Sequence, residues 1–287
     1  MKVLVTGASG FIGAQLVPVL AQAGHEVVAL VRDAARAPDD ASISVVDLSR
    51  PLEDHALEPV DTIVHLAQAN VPLPAGAREL MRVNTFGTAE LLEWGRRSGA
   101  RRFVFASSGS IFGLGDGVVD ERTIRRTDDL YGVSKEAAER LVQSYARWYE
   151  GTAVLRPFAP YGPTQTGRVI PNLIRRVRNG EPVTLNRGGS PRMTPLYVDD
   201  VVRAVTAALE FEGDAVIHLA GDEPVSIREL AVSIGEVLGR EPVFDERDTV
   251  VGDLVSDNAR MHELLGHRGL VPLADGLRAT ALAGAPA

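Results

Sequence analysis

The run KVLVTG passes through the glycines of ASGFIG into a stretch, FIGAQLVPVLAQAG, whose apolar residues recur at helical spacing. No other feature of the 287 residues restricts the fold as much. A β-branched strand that turns on glycines into a helix is the first half of a βα unit, and the pattern continues. HEVVALV, ISVVDL, DTIVHLA and RFVFASS are short, nearly continuous in apolar residues and bounded by Gly, Asp or Ser. Strands that are apolar on both faces must be covered on both. The expected fold is therefore α/β, a Rossmann-type doubly wound parallel sheet with helices on either side.

The alternation lasts through TAVLRPF. Beyond it the chain becomes rich in Pro, Gly and Arg, with helical runs at VIPNLIRRVRNG, VDDVVRAVTAALE and SIRELAVSIGEVLG. We expect a first domain over 1–158 and a smaller C-terminal α/β lobe over 159–287, whose chain interleaves with the sheet. Gly24 is the expected C-cap of the first helix, and the tail ALAGAPA is expected to fray. The net charge of -8 gives no footprint for nucleic acid or an anionic membrane. With no cysteine, disulfides, thiolate metal sites and thiol nucleophiles are excluded. No apolar run reaches membrane-spanning length, and MKVLVTG lacks a secretory h-region, so a cytoplasmic protein is expected.

Gly7, Gly10 and Gly13 stand at the strand-to-helix junction. Glycines there permit a tight turn, close approach of a pyrophosphate to the backbone, and tight helix–strand packing, while the helix N-terminus offers amide donors. The spacing is GxxGxxG rather than GxGxxG, and a purely structural turn is the alternative, but the position in the first βα unit favours a dinucleotide. The second strand ends Leu30-Val31-Arg32-Asp33, with no acid before Arg32 to accept from a ribose 2′-hydroxyl. A guanidinium suits a 2′-phosphate, so NADP(H) is favoured over NAD(H), which stays open; the alternative is a surface arginine paired with Asp33. Asp47, at the end of the third strand, is either an acceptor for an adenine amine or a helix cap.

The chain has only two lysines, Lys2 and Lys135, and the second follows Tyr131 by four residues in YGVSK. DDLYGVSKEAAERLVQSYARWYE reads as one helix, from near Asp128 to a stop at Gly151, with Tyr131 and Lys135 on one face. An ammonium beside a phenol favours the phenolate, which can then exchange a proton with a substrate hydroxyl or carbonyl. Arginine lacks the compact charge this needs. Ser107 and Ser108 close the strand RFVFASS, where open α/β sheets bind ligands. One of the pair is expected to serve only the turn.

Together VTGASGFIG, DTIVHLAQ, RVNTFGT, RFVFASSGSIFG, LYGVSK, LRPFAPYGP, LYVDDVV and VSIRELA resemble the extended short-chain dehydrogenase/reductase family of nucleotide-sugar epimerases, dehydratases and ketoreductases, along nearly the whole chain. The resemblance implies that Tyr131 is the acid/base, Lys135 its partner and ribose ligand, and Ser108 a substrate contact beside Ser107. It implies that Phe11, Ile12, Leu48, Leu66, Ala67, Asn84 and Pro157 line the dinucleotide with the residues above, that the second lobe binds a nucleotide-sugar substrate, and that the protein is a homodimer. Gly109-Ser110 replaces the Asp-Glu pair of the dehydratases, which argues against dehydration. The arginine that grips the diphosphate meets Met193 in strict register, leaving Arg192 as its candidate, with Arg168 or Arg247 as helpers.

The expected function is hydride transfer at a carbinol or ketone carbon of a nucleotide-activated sugar, by an epimerase or a 4-ketoreductase. The alternatives are an NADPH-dependent reductase of a non-nucleotide ketone and, more distantly, a dinucleotide sensor without turnover. No metal is expected: HELLGH sets its histidines five apart, off one helical face, and Gly266 ends the helix. No GxSxG elbow supports a serine hydrolase.

Overall fold

The computed structural model describes residues 1–52, 57–127, 129–266 and 268–283. Seven strands form one sheet, and the first five in the chain are β1 (Lys2–Thr6), β2 (Glu26–Val31), β3 (Ser42–Val45), β4 (Thr62–His65) and β5 (Arg102–Ala106). The other two are Gly151–Pro157 and Gly213–Leu219, and the spatial order is 213–219, 151–157, β5, β4, β1, β2, β3. The five pairings from β3 across to 151–157 are all parallel. The order reverses at β1, so the C-terminal ends of β1 and β4 flank the crevice where such sheets bind ligands. The strand at 213–219 neighbours 151–157 at the edge of the sheet.

Four helices matter for the site: α1 (Gly13–Gln22), α2 (Ala77–Met81), α3 (Gly87–Ser98) and α4 (Leu130–Tyr145). Leu4, Ile63, Leu91, Leu92, Phe103, Phe105, Ala138 and Val142 share one buried cluster, joining β1, β4 and β5 to α3 and α4. Each large side chain so buried contributes about 1.5–3 kcal/mol relative to exposure. Gly24 follows the cap residue Ala23 in the left-handed conformation, at φ 83°.

α4 is shorter than the sequence suggested. Asp129 caps it, accepting from the Gly132 amide, and Asp128 lies outside the described residues. The helix tightens into a 3₁₀ turn at Ala146–Trp148, and Gly151 begins a strand rather than stopping a helix. The reason is packing, since a Cβ at Gly151 would overlap the carbonyl oxygen of Phe211. The Glu150 amide has meanwhile joined the Arg101 carbonyl at 2.8 Å, which commits the chain to the sheet.

The chain divides into two compact units, and it crosses between them more than once. The first comprises 1–111, 128–156 and 202–217, and the second 112–127, 157–201 and 218–287. The second unit is built on helices Val169–Asn179, Ile227–Leu238 and Leu273–Leu282 with four two-stranded ladders. Its helix Ile227–Leu238 starts with a full capping box between Ser226 and Glu229. Among the described residues, no helix is long and apolar enough to cross a membrane.

Candidate active site

The loop between β1 and α1 is held by backbone contacts that exclude side chains. Gly7 has φ 69°, and a Cβ on it would lie 2.8 Å from the Ala67 amide nitrogen. A Cβ on Gly13 would overlap the Gly7 carbonyl oxygen, and the Gly10 amide donates to that same oxygen at 2.9 Å. Phe11, Ile12 and Gly13 then bring the chain into α1, where the leading amides of a helix have no intrahelical acceptor. A close-packed turn that leads into a helix N-terminus suits a pyrophosphate.

A buried relay supports the turn from below. The Ala67 amide donates to Thr6 Oγ (3.1 Å), which lies 2.7 Å from His65 Nδ1. His65 Nε2 lies 2.9 Å from Thr88 Oγ, whose hydroxyl donates to the Asn84 carbonyl at 2.7 Å. Because Thr88 spends its proton on that carbonyl, it accepts from His65 Nε2–H, and Nδ1 accepts from Thr6. Burial, followed by the charge of Lys135, holds the imidazole down to about 3, so the ring is neutral at physiological pH. Leu66 continues β4, its amide donating to the Thr6 carbonyl at 3.2 Å.

Arg32 is exposed at the end of β2, with its guanidinium 3.8 Å from Glu79 on α2. It does not pair with Asp33, whose carboxylate accepts instead from the Ala35 amide. Asp47 accepts from the Ser49 amide at 2.9 Å, and these bonds from Ser49, helped by Arg50 and Arg32, hold its carboxyl below its ordinary range. Leu48 is buried beside it.

At the ends of β5 and α4 the chemistry is denser. Lys135 is 1% exposed, and its Nζ donates to the Ala106 carbonyl at 2.7 Å beside the Phe105 ring. Burial pushes the amine down to about 7, with the Glu139 carboxylate one turn on pulling it back up. Glu139 is itself buried in a bidentate pair with Arg156, at 2.8 and 2.7 Å. The Tyr131 phenol donates to Gln68 Oε1 at 2.7 Å. Thus the phenol and amine share a helix face but hold different partners, one in the loop after β4 and the other at the end of β5.

Ser107 is buried, its amide bonded to the Leu155 carbonyl at 2.7 Å and its hydroxyl unpartnered. Ser108 is half-buried, its Oγ 3.1 Å from Ser110 Oγ and accepting from the Ser110 amide. Asn84 sits within a π-helical turn, Arg82–Phe86, between α2 and α3. Such turns recur at functional sites because they rotate one side chain off the helical register. Pro157 is buried at the end of its strand.

In the second unit, Arg192 donates through its amide to Asp253 Oδ1 (2.7 Å) and through Nη2 to the Pro224 carbonyl (3.1 Å), while Met193 is buried. Arg247 pairs with Asp245 at 3.0 Å. The helix carrying HELLGH ends before Gly266, at φ 62°. His262 pairs with Asp222, and His267 lies outside the described residues. Among the described residues no group of three or more potential ligands could hold a metal ion.

Sequence reasoning missed Gln68, Thr6, Thr88, Glu139 and Arg156. Only Glu139 carried a signal, at i+4 from Lys135 on the buried face of α4. A polar residue on such a stripe has to be paired.

Residues 3–220 match the model of the NAD dependent epimerase/dehydratase family. A dTDP-4-dehydro-6-deoxy-D-allose reductase from Streptomyces sp is 33% identical over 312 residues, covering 97% of this chain and 94% of the relative. A 3-diazoavenalumate denitrifying reductase, also from Streptomyces sp, is 34% identical over 253 residues, covering 84% of this chain and 83% of the relative. Among solved structures, MoeE5 in complex with UDP-glucuronic acid and NAD superposes with a TM-score of 0.87, at 33% identity over 99% of this chain and 98% of that one.

Proposed function

Because this chain belongs to the NAD-dependent epimerase/dehydratase family, we propose that it transfers a hydride at a carbinol or ketone carbon of a nucleotide-activated sugar, as a 4-ketoreductase or an epimerase. The observation that carries the reading is the set Tyr131, Lys135 and Ser108, at the ends of α4 and β5, in the same unit as the glycine turn. The dinucleotide supplies or accepts the hydride. In reduction, Tyr131 delivers its phenolic proton to the substrate oxygen, and in oxidation it takes a proton from the hydroxyl. Ser108 donates a hydrogen bond to that oxygen, and Ser107 shapes the strand end next to it. Lys135, buried and near neutrality, supplies a compact positive charge as the phenol ionises and a donor to the ribose hydroxyls. The turn at Gly7, Gly10, Phe11, Ile12 and Gly13 takes the pyrophosphate, with Leu48, Leu66, Ala67, Asn84 and Pro157 along the dinucleotide.

Arg32 and the absence of an acid before it support NADP(H), with Asp47 toward the adenine. NAD(H) is the second choice, and it is NAD that MoeE5 carries. The second unit is assigned the nucleotide part of the substrate, with Arg192 for the diphosphate, in a cytoplasmic homodimer. A sedimenting species of one chain's mass would remove the dimer from this reading. The name of the 34% identical relative, a 3-diazoavenalumate reductase, favours a second reading, reduction of a non-nucleotide substrate.

The test is turnover of keto and hydroxy forms of TDP- and UDP-hexoses with NADPH and NADH, wild type against Tyr131→Phe. We expect activity that the variant loses by about 10²–10⁴, the scale of general acid–base help. Binding of free hexose and nucleotide hexose with equal affinity would transfer the assignment to the non-nucleotide reading.

A further inference from the structure

The proposed reaction uses the Tyr131 phenol but gives no role to the residue that the phenol touches. Gln68 lies just beyond β4, its Oε1 accepting the phenolic O–H at 2.7 Å. Its side chain is exposed, yet the segment carrying it is fixed. The amide of Ala69, the next residue, donates to Asn84 Oδ1 at 2.8 Å. Asn84 Nδ2 donates to Ser134 Oγ at 3.0 Å, and the Ser134 hydroxyl donates to the Tyr131 carbonyl at 2.7 Å. Ala69, Leu80 and Val83 form a buried apolar cluster against which Val71 and the Tyr131 ring pack. Three hydrogen bonds and an apolar contact thus tie the Gln68 segment to the first turn of α4. Asn84, in the π turn, is the middle member of this chain of bonds.

We propose that Gln68 is a positioning residue that holds the phenol of Tyr131 as a hydrogen-bond donor and so keeps it neutral to higher pH than it would otherwise be. The proposal rests on the reading of Tyr131 as the proton carrier. An acceptor on the O–H stabilises the neutral phenol and opposes the phenolate. In the reductive direction the step balances. Hydride adds to the carbonyl carbon, the π pair of the C=O takes the proton from Tyr131 Oη, the dinucleotide is oxidised, and solvent reprotonates the phenolate.

The charged residues on the elements packed against the ring are Arg78 and Glu79 on α2, Arg82 in the π turn, Asp129 at the cap, and Lys135, Glu136, Glu139 and Arg140 on α4. Glu79 approaches Arg32 and Lys135 is turned to the Ala106 carbonyl. Gln68 is hydrogen-bonded to the phenol oxygen.

The experiment is an ultraviolet titration of the phenolate in the full-length protein without dinucleotide, for wild type, Gln68→Leu and Gln68→Glu, with Tyr131→Phe in each background subtracted. Gln68→Leu should lower the Tyr131 midpoint by about half to one pH unit, the shift expected of one hydrogen bond. Gln68→Glu, which keeps an acceptor and adds charge, should raise it. The high-pH limb of kcat/KM for reduction should move the same way as the midpoint in each variant. A midpoint that is unchanged or raised in Gln68→Leu overturns the inference, and the Tyr131 reading survives as long as Tyr131→Phe is inactive. An active Tyr131→Phe overturns both.

Discussion

Replacing Lys135 by methionine should abolish turnover and yet make the fold more stable, by an amount that depends on pH in one direction. The amine is buried to 1% exposure and held at about 7, against an ordinary value of 10.5. That depression of about 3.5 units is on the order of 5 kcal/mol. Below the folded value both states carry the proton, and the folded state bears the whole penalty. Between about 7 and 10.5 the unfolded chain holds a proton that the folded chain has released, so wild-type stability rises with pH. Above both values the penalty is gone. Methionine removes the penalty but leaves the Ala106 carbonyl without its donor, which costs about 1–3 kcal/mol. The net gain is about 2–4 kcal/mol near pH 6, falling to zero or reversing by about pH 10. Urea denaturation of both proteins across that range measures it directly. A variant less stable than wild type near pH 6, or a gain that grows with pH, would refute the account of a charge buried for function at the expense of the fold.

Gly13→Ala should cut dinucleotide affinity and lower the melting temperature, because the new Cβ would overlap the Gly7 carbonyl; calorimetric titration with unchanged affinity would contradict the cradle. Arg156→Met strands the Glu139 carboxylate in the core and should cost about 3–5 kcal/mol in urea unfolding, whereas the double change with Glu139→Leu should recover most of it. Asn84→Ala leaves the Ala69 amide and the Ser134 hydroxyl short of a partner and should cost about 2–4 kcal/mol, with the loss read from the urea midpoint. His65, neutral in the fold and held to about 3, should withdraw stability as pH falls from about 6.5 toward 3, since only the unfolded chain gains a proton there; His65→Gln should flatten that part of the pH profile.

The sequence made the sheet legible because strands buried on both faces leave continuous apolar runs. It made α4 and its pair legible because a four-residue spacing survives in any helix. It did not disclose what each group of the pair would touch. Gln68 and Ala106 reach Tyr131 and Lys135 through tertiary contacts that leave no periodic trace. The Glu139–Arg156 pair was not legible, because Arg156 lies on another element and a buried ion pair and a solvated one look the same in a string of letters. The end of α4 was misplaced because Gly151 resembles a helix stop, while its actual constraint comes from Phe211, sixty residues later in the chain. The second unit was read least well. Its two-stranded ladders are too short to show alternation, and Arg192 and Arg247 found partners within the unit that spacing does not reveal.

The central claim is hydride transfer between a nicotinamide dinucleotide and the substrate carbon, with the proton carried by Tyr131. Incubate the enzyme with reduced dinucleotide deuterated at the transferable position and a keto nucleotide hexose, then read the product by mass spectrometry and proton resonance. The account predicts one deuterium on the carbinol carbon in the wild type, and in Tyr131→Phe the same labelled product formed more slowly by about 10²–10⁴. Product formed without deuterium, or labelled product formed at an undiminished rate by Tyr131→Phe, would contradict it.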